Sequence, residues 1–359
     1  MQYQEKLAHQ IRTIILLTDG RPGHMTQSEG VARLLKQNQR LEVQWLNIRH
    51  LGKWQKKLGR CLVNYFGLSA YLPKLIELPQ QIDWHKVDYV VSAGADTLLA
   101  NVVLTRVLRQ KHIAVKNIAL SSLHGIQPKN FDVVFTINAA KARLPHYLYY
   151  PISPNKMTAC DLYADDLKKH WQLDQVIAVC IGADIDGIDI GSASLWREYI
   201  HALKSNFPQH QILITTSRRT PQDFEQQLQQ QLQGILGPQD QLFLYSKQQI
   251  NLAELFTMAQ LVVLSQDSGS MISEAVMAAK KTLVIQPLQS NKHIVMQKFL
   301  QHLQQQKAIK FWQDPAQEII PLLDSIRVEQ HSTNLQQVLQ QRLNIGNPIQ
   351  QVAPKSLSA

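Results

Sequence analysis

Short apolar segments alternate with helical ones along this 359-residue chain, and the alternation restricts the fold more than any other feature. Strands separated by amphipathic helices of roughly ten to fifteen residues are typical of βαβ units in a parallel sheet. The first half therefore predicts an α/β sheet. Its predicted strands are 13–18, 41–46, 89–92, 118–120 and 133–137.

A proline-rich stretch at 145–154 ends this series, and the alternation restarts at 176. We therefore predict an α/β fold of two Rossmann-like, doubly wound domains that face each other across a cleft. Later predicted strands are 176–181, 211–216, 241–245, 261–265 and 282–285, with helices at 194–206, 221–234 and 270–280. The predicted parts are an N-terminal domain at 1–153, a linker at 154–174, a second domain at 175–328, a helix at 329–345 and a flexible tail at 346–359.

The basic residues are in excess only in the first half of the chain. Residues 1–150 contain 20 Lys and Arg against 9 Asp and Glu, whereas residues 151–359 contain 17 against 18. One half should therefore meet an anionic partner, such as nucleic acid, a phospholipid surface or a phosphorylated substrate. Three dispersed cysteines and the lack of any long apolar run predict a cytoplasmic protein without disulfides, signal peptide or membrane span.

The loop after the first predicted strand reads DGRPGH, residues 19–24. Asp19 and His24 can each take a proton near neutral pH, so either is a candidate catalytic base. The glycines allow backbone amides to approach a ligand, and Thr26 is a candidate cap for the next helix. A tight turn with a solvated histidine is the alternative. Further candidate ligand contacts here are Arg21, Gly23 and Gln27.

Two more glycine loops follow predicted strands. In SAGADT, residues 92–97, Gly94 leaves room for a ligand and Asp96 could contact hydroxyl groups, although Asp96 or Thr97 could equally be a helix cap. In GADIDG, residues 182–187, Gly182 suits a phosphate neighbourhood. Asp184 and Asp186 have the spacing of a metal-binding pair, but we expect no metal at this loop.

Two loops of the second half have the chemistry of an anion receptor. TTSRRTP, residues 215–221, offers Ser217, Arg218 and Arg219 before a helix that we expect to begin at Pro221. SQDSGSMISEA, residues 265–275, joins a buried strand to a helix that we expect to begin near Ser270. Glu274, one turn into that helix, could accept two ribose hydroxyls. Small groups that could surround phosphate oxygens are Ser268, Gly269 and Ser270.

The motifs DGRPGH, SAGADT, TTSRRTP and SQDSGSMISEA occur in the order found in the "elongated mitochondria" family, which the chain resembles over residues 13–290. That family is named for a plant mitochondrial-fission factor, and its bacterial members are treated as GT-B glycosyltransferases, some of them linked to lipopolysaccharide core synthesis. This chain departs from the family pattern at Ala279, Lys280 and Lys281, where members more often have a glycine and then proline-type residues.

The resemblance implies roles for these loops. Arg218, Arg219, Ser268, Gly269, Ser270 and Glu274 would bind a nucleotide-sugar donor, with Gly182 and Ser217 beside them. The first domain would bind a glycolipid acceptor through Arg21, Gly23, Gln27, Gly94 and Asp96. Similarity to the peptidoglycan N-acetylglucosaminyl transferase makes Asp19 or His24 the base. No cofactor or metal is implied, because the nucleotide sugar is a co-substrate.

Residues 49–74 contain six Lys and Arg and no acid, interleaved with aromatic residues. This mixture suits the anionic surface of a membrane, and it could also bind single-stranded nucleic acid or form an ordinary solvated helix. Since no nucleic-acid motif is present, we expect a peripheral protein on the inner membrane and no nucleic-acid partner. A nucleotide-sugar epimerase and a non-catalytic membrane adaptor stay open as alternatives to the glycosyltransferase.

Overall fold

Two parallel sheets of six strands each organise the chain in the computed structural model. The structure describes residues 11–36, 40–66, 72–77, 81–120, 122–157, 175–287 and 292–345. Most of the predicted linker (158–174), residues 67–71 of the basic segment and the predicted tail at 346–359 lie outside the described residues. Two compact units contain the sheets. Unit 1 comprises residues 1–24, 34–150 and 333–359, and unit 2 comprises 25–33 and 151–332.

The sheet of unit 1 has the strand order β2-β1-β3-β4-β5-β6, so the order reverses beside β1. Its strands are β1 (Arg12–Thr18), β2 (Leu41–Asn47), β3 (Val87–Ala93), β4 (Lys116–Leu120), β5 (Val133–Thr136) and β6 (Tyr147–Tyr149). Its helices are α1 (Pro22–Lys36), of which residues 25–33 are grouped with unit 2, α2 (Lys53–Val63), α3 (Leu72–Leu75) and α4 (Leu98–Gln110). The apolar side of α4 packs in the core of this unit with β1 and β3.

The sheet of unit 2 has the order β12-β11-β10-β7-β8-β9 and reverses beside β7. Its strands are β7 (Val176–Ile181), β8 (Gln211–Thr216), β9 (Gln241–Phe243), β10 (Leu261–Ser265), β11 (Lys281–Ile285) and β12 (Lys310–Trp312). Its helices are α5 (Ala193–Asn206), α6 (Gln222–Gln231), α7 (Leu252–Met258), α8 (Gly269–Met277), α9 (Ile294–Gln305) and α10 (Ile319–Asp324). The last helix in the described part of the chain is α11 (His331–Leu343), most of which is grouped with unit 1.

Burial explains why the strands could be recognised from sequence. Every residue of β7 is buried, and so are all residues of β1 except Arg12. A parallel strand covered on both faces needs a continuous apolar run rather than an alternating one. The predicted fold class, α/β with two doubly wound sheets, is confirmed. The three-residue strands β6 and β12 were not predicted, whereas β9, which is equally short, was.

Several helix starts differ from the predictions by one residue or more, and α6 begins at Gln222, with Pro221 as its N-cap rather than its first residue. Helix α1 begins at Pro22, so Thr26 lies inside the helix and does not cap it. Helix α8 begins at Gly269, and the Ser268 hydroxyl caps it by accepting a hydrogen bond from the Met271 amide. At its other end, Ala279 has φ 55°, and the amide of Lys280 donates to the carbonyl of Ala275. This left-handed helix end favours glycine, which accounts for the residue that family members more often have there.

Candidate functional site

The loops after β8 and β10 line an open pocket in unit 2, with a volume of about 310 Å³. Ligands of doubly wound sheets bind at the carboxyl ends of strands where the order reverses, and β10 lies at that point beside β7. Six of the eight predicted donor-binding residues line the pocket, whereas Gly182 and Glu274 do not. The lining residues are Ser217, Arg218, Arg219, Asp267, Ser268, Gly269, Ser270 and Met271.

The pocket has two features that attract an anion. The amino terminus of α8 lies in its lining, and the unpaired backbone amides and dipole of a helix start favour negative charge. Arg218 is exposed, and no ion pair to it occurs within the described part of the chain. Its guanidinium is therefore available to a phosphate or carboxylate.

A rigid turn positions the two arginines. Thr220 Oγ1 donates to the carbonyl oxygen of Gly182 over 2.6 Å and accepts from the amide of Ser217 over 2.9 Å. The amide of Arg219 donates to Ser217 Oγ over 3.2 Å. These bonds join the loop after β8 to the loop after β7.

Asp267, to which the sequence analysis gave no role, connects these loops. Its fully buried carboxylate accepts hydrogen bonds from Arg219 Nη2 at 2.6 Å, Ser265 Oγ at 2.5 Å and the amide of Ala183 at 3.3 Å. A Cβ atom on Gly182 would lie 2.1 Å from Asp267 Oδ1, so only glycine leaves room for this arrangement. The sequence places Asp267 two residues after β10, at the carboxyl end of a strand, but it does not show that Arg219 and Ala183 lie beside it.

Glu274 lies away from the pocket lining, on the buried side of α8. Within unit 2 its Oε1 accepts a hydrogen bond from Thr26 Oγ1 over 3.3 Å, and Thr26 in turn accepts from the amide of Lys156 over 3.1 Å. Burial raises the pKa of Glu274, against the opposing effects of the Lys156 charge and the Thr26 hydroxyl. Glu29 raises it further.

We expect the variant Glu274→Gln to be more stable than the wild type at neutral pH. Burial raises the pKa of Glu274 in the folded state above its value in the unfolded state. At high pH the buried carboxylate is charged, and its charge lowers the free energy of unfolding. Below about pH 4.3 the carboxyl group is protonated in both states, so this loss is absent. The advantage of the variant should therefore shrink as the pH falls through the raised pKa. Denaturant unfolding at several pH values measures it, and an advantage independent of pH would contradict this account.

In unit 1, the loop after β1 brings Asp19 and His24 together. His24 Nδ1 lies 2.9 Å from Asp19 Oδ2 and 3.1 Å from Oδ1, and the Asp19 side chain is almost fully buried. An imidazole that donates from Nδ1 to a carboxylate keeps Nε2 as the acceptor, the arrangement of an oriented general base. Arg21 is exposed, with Nε 3.7 Å from Asp19 Oδ2.

The loop after β3 provides the space for His24. Gly94 has φ 89°, and a Cβ atom at this position would lie 2.2 Å from His24 Nδ1. The N-cap residue of α4 is Thr97, so Asp96 does not occupy that position. Asp96 is not a free carboxylate either, because it pairs with Lys56 Nζ at 2.8 Å. The hydrogen bond from Lys56 lowers the pKa of Asp96. The remaining predicted contacts lie on α1, where Gly23 is in the first turn and Gln27 falls within the residues grouped with unit 2.

Gly94→Ala should destabilise the protein more than Gly125→Ala does. Gly125 has nearly the same φ, 91°, but no atom lies within 4 Å of a Cβ placed there. Both variants incur the cost of a positive φ, about 1–2 kcal/mol, and only Gly94→Ala must also displace His24, which adds roughly 1–3 kcal/mol. The free energies of unfolding of the two variants provide the comparison, and equal losses would show that His24 does not depend on the space at Gly94.

The described residues contain no group of three or more His, Cys, Asp or Glu side chains that could hold a metal ion. Asp184, one of the pair with metal-like spacing, instead accepts a hydrogen bond from the amide of Ile190 over 2.8 Å. No helix in the described part of the chain is long and apolar enough to span a membrane.

Solved structures of nucleotide-sugar proteins are similar in fold to this chain. The UDP-GlcNAc 2-epimerase from Methanocaldococcus jannaschii gives a TM-score of 0.53 at 11% identity, covering 92% of this chain and 99% of that one. The Neisseria meningitidis UDP-GlcNAc 2-epimerase bound to UDP-GlcNAc gives 0.43 at 12% identity, with 92% and 99% covered. UGT2 from Phytolacca americana, complexed with UDP-2fluoro-glucose and pterostilbene, gives 0.42 at 10% identity, with 94% of each chain covered. A search of curated protein sequences gives no significant match.

The first of these similarities and the two parallel sheets define the class of protein, an α/β chain of the GT-B type with one doubly wound sheet in each unit. The model of the family described as "Mitochondrial fission ELM1" matches residues 22–333. The chain therefore belongs to the mitochondrial fission ELM1 family, and the resemblance found in its motifs is confirmed.

Proposed function

We propose that this protein is a glycosyltransferase that moves a sugar from a nucleotide-activated donor to a lipid-linked acceptor, such as lipopolysaccharide core, at the cytoplasmic face of a membrane. The observation that carries the proposal is the pocket of unit 2, where the available guanidinium of Arg218 and the start of α8 line the same space. These groups suit a diphosphate. The fold similarity to a UDP-GlcNAc 2-epimerase agrees with a nucleotide-sugar ligand.

In this proposal, the pocket binds the diphosphate of the donor and stabilises the leaving group. As the bond between the anomeric carbon and the phosphate oxygen breaks, negative charge builds on that oxygen, and Arg218, Arg219 and the α8 amides stabilise it without a metal or a cofactor. Asp267 holds Arg219 in place for this task. Glu274 is the candidate ribose ligand, and a ribose hydroxyl would replace that of Thr26 on its carboxylate.

We assign the role of general base to His24 rather than to Asp19. Nε2 of His24 takes the proton of the acceptor hydroxyl as its oxygen bonds to the anomeric carbon, and Asp19 stabilises the imidazolium that forms. The buried position of the Asp19 carboxylate and its contact with Nδ1 support this division.

The test begins with the donor. In a thermal-shift series with UDP-, GDP- and CMP-sugars, we expect one nucleotide class to raise the Tm, and Arg218→Ala to weaken that binding roughly tenfold to a hundredfold through the loss of a charge-assisted contact. Arg197→Ala, which removes an exposed arginine from α5, is the matched control. No shift with any of the three classes would overturn the donor site.

Assays of the wild type and of further variants then distinguish the candidate functions. His24→Ala and Asp19→Asn should retain donor binding but lose transfer, which mass spectrometry of the membrane glycolipids detects in cells carrying each variant. Interconversion of the sugar by the wild type without an acceptor would instead identify an epimerase. Unchanged function in cells after Arg218→Ala and Glu274→Ala would identify a non-catalytic adaptor.

We also propose that part of the segment 49–74 binds an anionic membrane surface. The part in contact with the membrane is one face of α2 and the turn after it. Trp54, Leu58, Tyr65 and Phe66 are exposed by 83%, 56%, 73% and 60%. The exposed Lys57 has its Nζ 6.0 Å from the centre of the Trp54 ring. Apolar side chains that face water beside cations suit the boundary between headgroups and acyl chains.

The double variant Trp54→Ala with Phe66→Ala should bind vesicles containing phosphatidylglycerol at least about tenfold more weakly, because each aromatic ring that enters the interface contributes more than ~1 kcal/mol. Trp45→Ala is the control, since Trp45 is partly exposed on β2, away from α2. Co-sedimentation measures the binding. Equal binding of neutral phosphatidylcholine vesicles, or tighter binding of single-stranded oligonucleotides, would contradict the membrane role.

A further inference from the structure

Helix α2 divides its cations between two sides. Lys53 and Lys57 are exposed, whereas Lys56 and Arg60 are partly buried against the loop after β3. Arg60 Nη2 donates to the carbonyl of Ala95 over 3.0 Å and lies 3.9 Å from the Asp96 carboxylate. The second pair of cations is therefore turned toward the carboxyl edge of the unit 1 sheet.

The loops after β1 and β2 add further positive charge at this edge. Arg49 and His50 line a narrow cavity with Lys56, Arg60 and Asp96, and Arg21 is near enough to lower the pKa of Asp96. No ion pair to Arg49 occurs in the described part of the chain. Four permanently charged cations thus meet two carboxylates, Asp96 and Asp19, and Asp19 already accepts from His24.

We propose that this basic cluster (Arg21, Arg49, His50, Lys56 and Arg60) binds a phosphate group carried by the acceptor. The inference rests on the proposed transferase function and specifies its acceptor as a phosphorylated lipid. The surplus of cations attracts an anion, and a planar guanidinium such as that of Arg49 is suited to phosphate oxygens.

The size of the cavity decides which part of the acceptor enters it. Its volume of about 10 Å³ holds about one water molecule. A single phosphate oxygen fits, whereas a sugar ring does not. The phosphate therefore lies at the cavity mouth, with one oxygen inserted, while Asp96 keeps Lys56 and Arg60 directed at it.

Farnesyl phosphate and its uncharged analogue farnesol are suitable probes. They are studied with the full chain in the presence of a saturating concentration of the nucleotide whose sugar raises the Tm, so that the donor pocket is filled. We expect farnesyl phosphate, but not farnesol, to slow hydrogen exchange in peptides that cover residues 48–61 and 94–101. Arg49→Ala should weaken the binding of farnesyl phosphate about tenfold. Arg60→Ala should weaken it by a similar factor, and Arg60→Lys should retain part of the affinity that Arg60→Ala loses.

The controls separate this inference from the proposed function. Lys111→Ala removes an exposed lysine at the end of α4 and should leave the affinity unchanged. Arg49→Ala should keep the wild-type Tm, which excludes unfolding as the cause of its loss. Three results would overturn the acceptor phosphate site. They are binding of farnesol as tight as that of farnesyl phosphate, a loss of affinity in Lys111→Ala equal to that in Arg49→Ala, and protection from hydrogen exchange confined to residues 265–272. A thermal shift with a nucleotide sugar that persists in that case would leave the donor site supported.

Discussion

Both candidate sites depend on the space that a glycine leaves where a parallel sheet changes its strand order. In unit 1, Gly94 after β3 makes room for His24, and in unit 2, Gly182 after β7 makes room for Asp267. Each space lies between two neighbouring loops, so the ionisable side chain from one loop occupies the place of the missing Cβ in the other. Close packing of this kind fixes the position of an ionisable group without a long chain of hydrogen bonds.

The buried carboxylates at these points are stabilised in different ways. Asp267 has a guanidinium, a hydroxyl and a backbone amide, whereas Asp19 has the imidazole of His24 and the amide of Arg21. An isolated charge in such a position would be costly, and removal of one partner would leave the other uncompensated. Neither carboxylate is therefore free to bind a ligand, and each acts by orienting a neighbouring base or cation.

The strands and the loops after them could be predicted from sequence, because buried parallel strands are continuous apolar runs that end at glycine and polar residues. The role of Asp267 and the burial of Glu274 could not. Thr26, the partner of Glu274, lies 248 positions away in the sequence, and no local pattern reports such a contact. The spacing of the basic residues in α2 is a signal that the sequence does contain. Lys53 and Lys57 are four residues apart, as are Lys56 and Arg60, so each pair shares one side of the helix.

The charge balance of the donor pocket bears on how a transferase would turn over. Because Asp267 offsets much of the charge of Arg219, the net positive charge that meets a diphosphate comes mainly from Arg218 and the partial charge of the α8 amino terminus. A pocket with two unpaired arginines would hold the nucleotide product more tightly, and product release limits the rate of many enzymes. Binding energy that is equal for substrate and product does not speed the chemical step. An acid beside the anion site is thus consistent with a pocket that must release a nucleotide after every transfer.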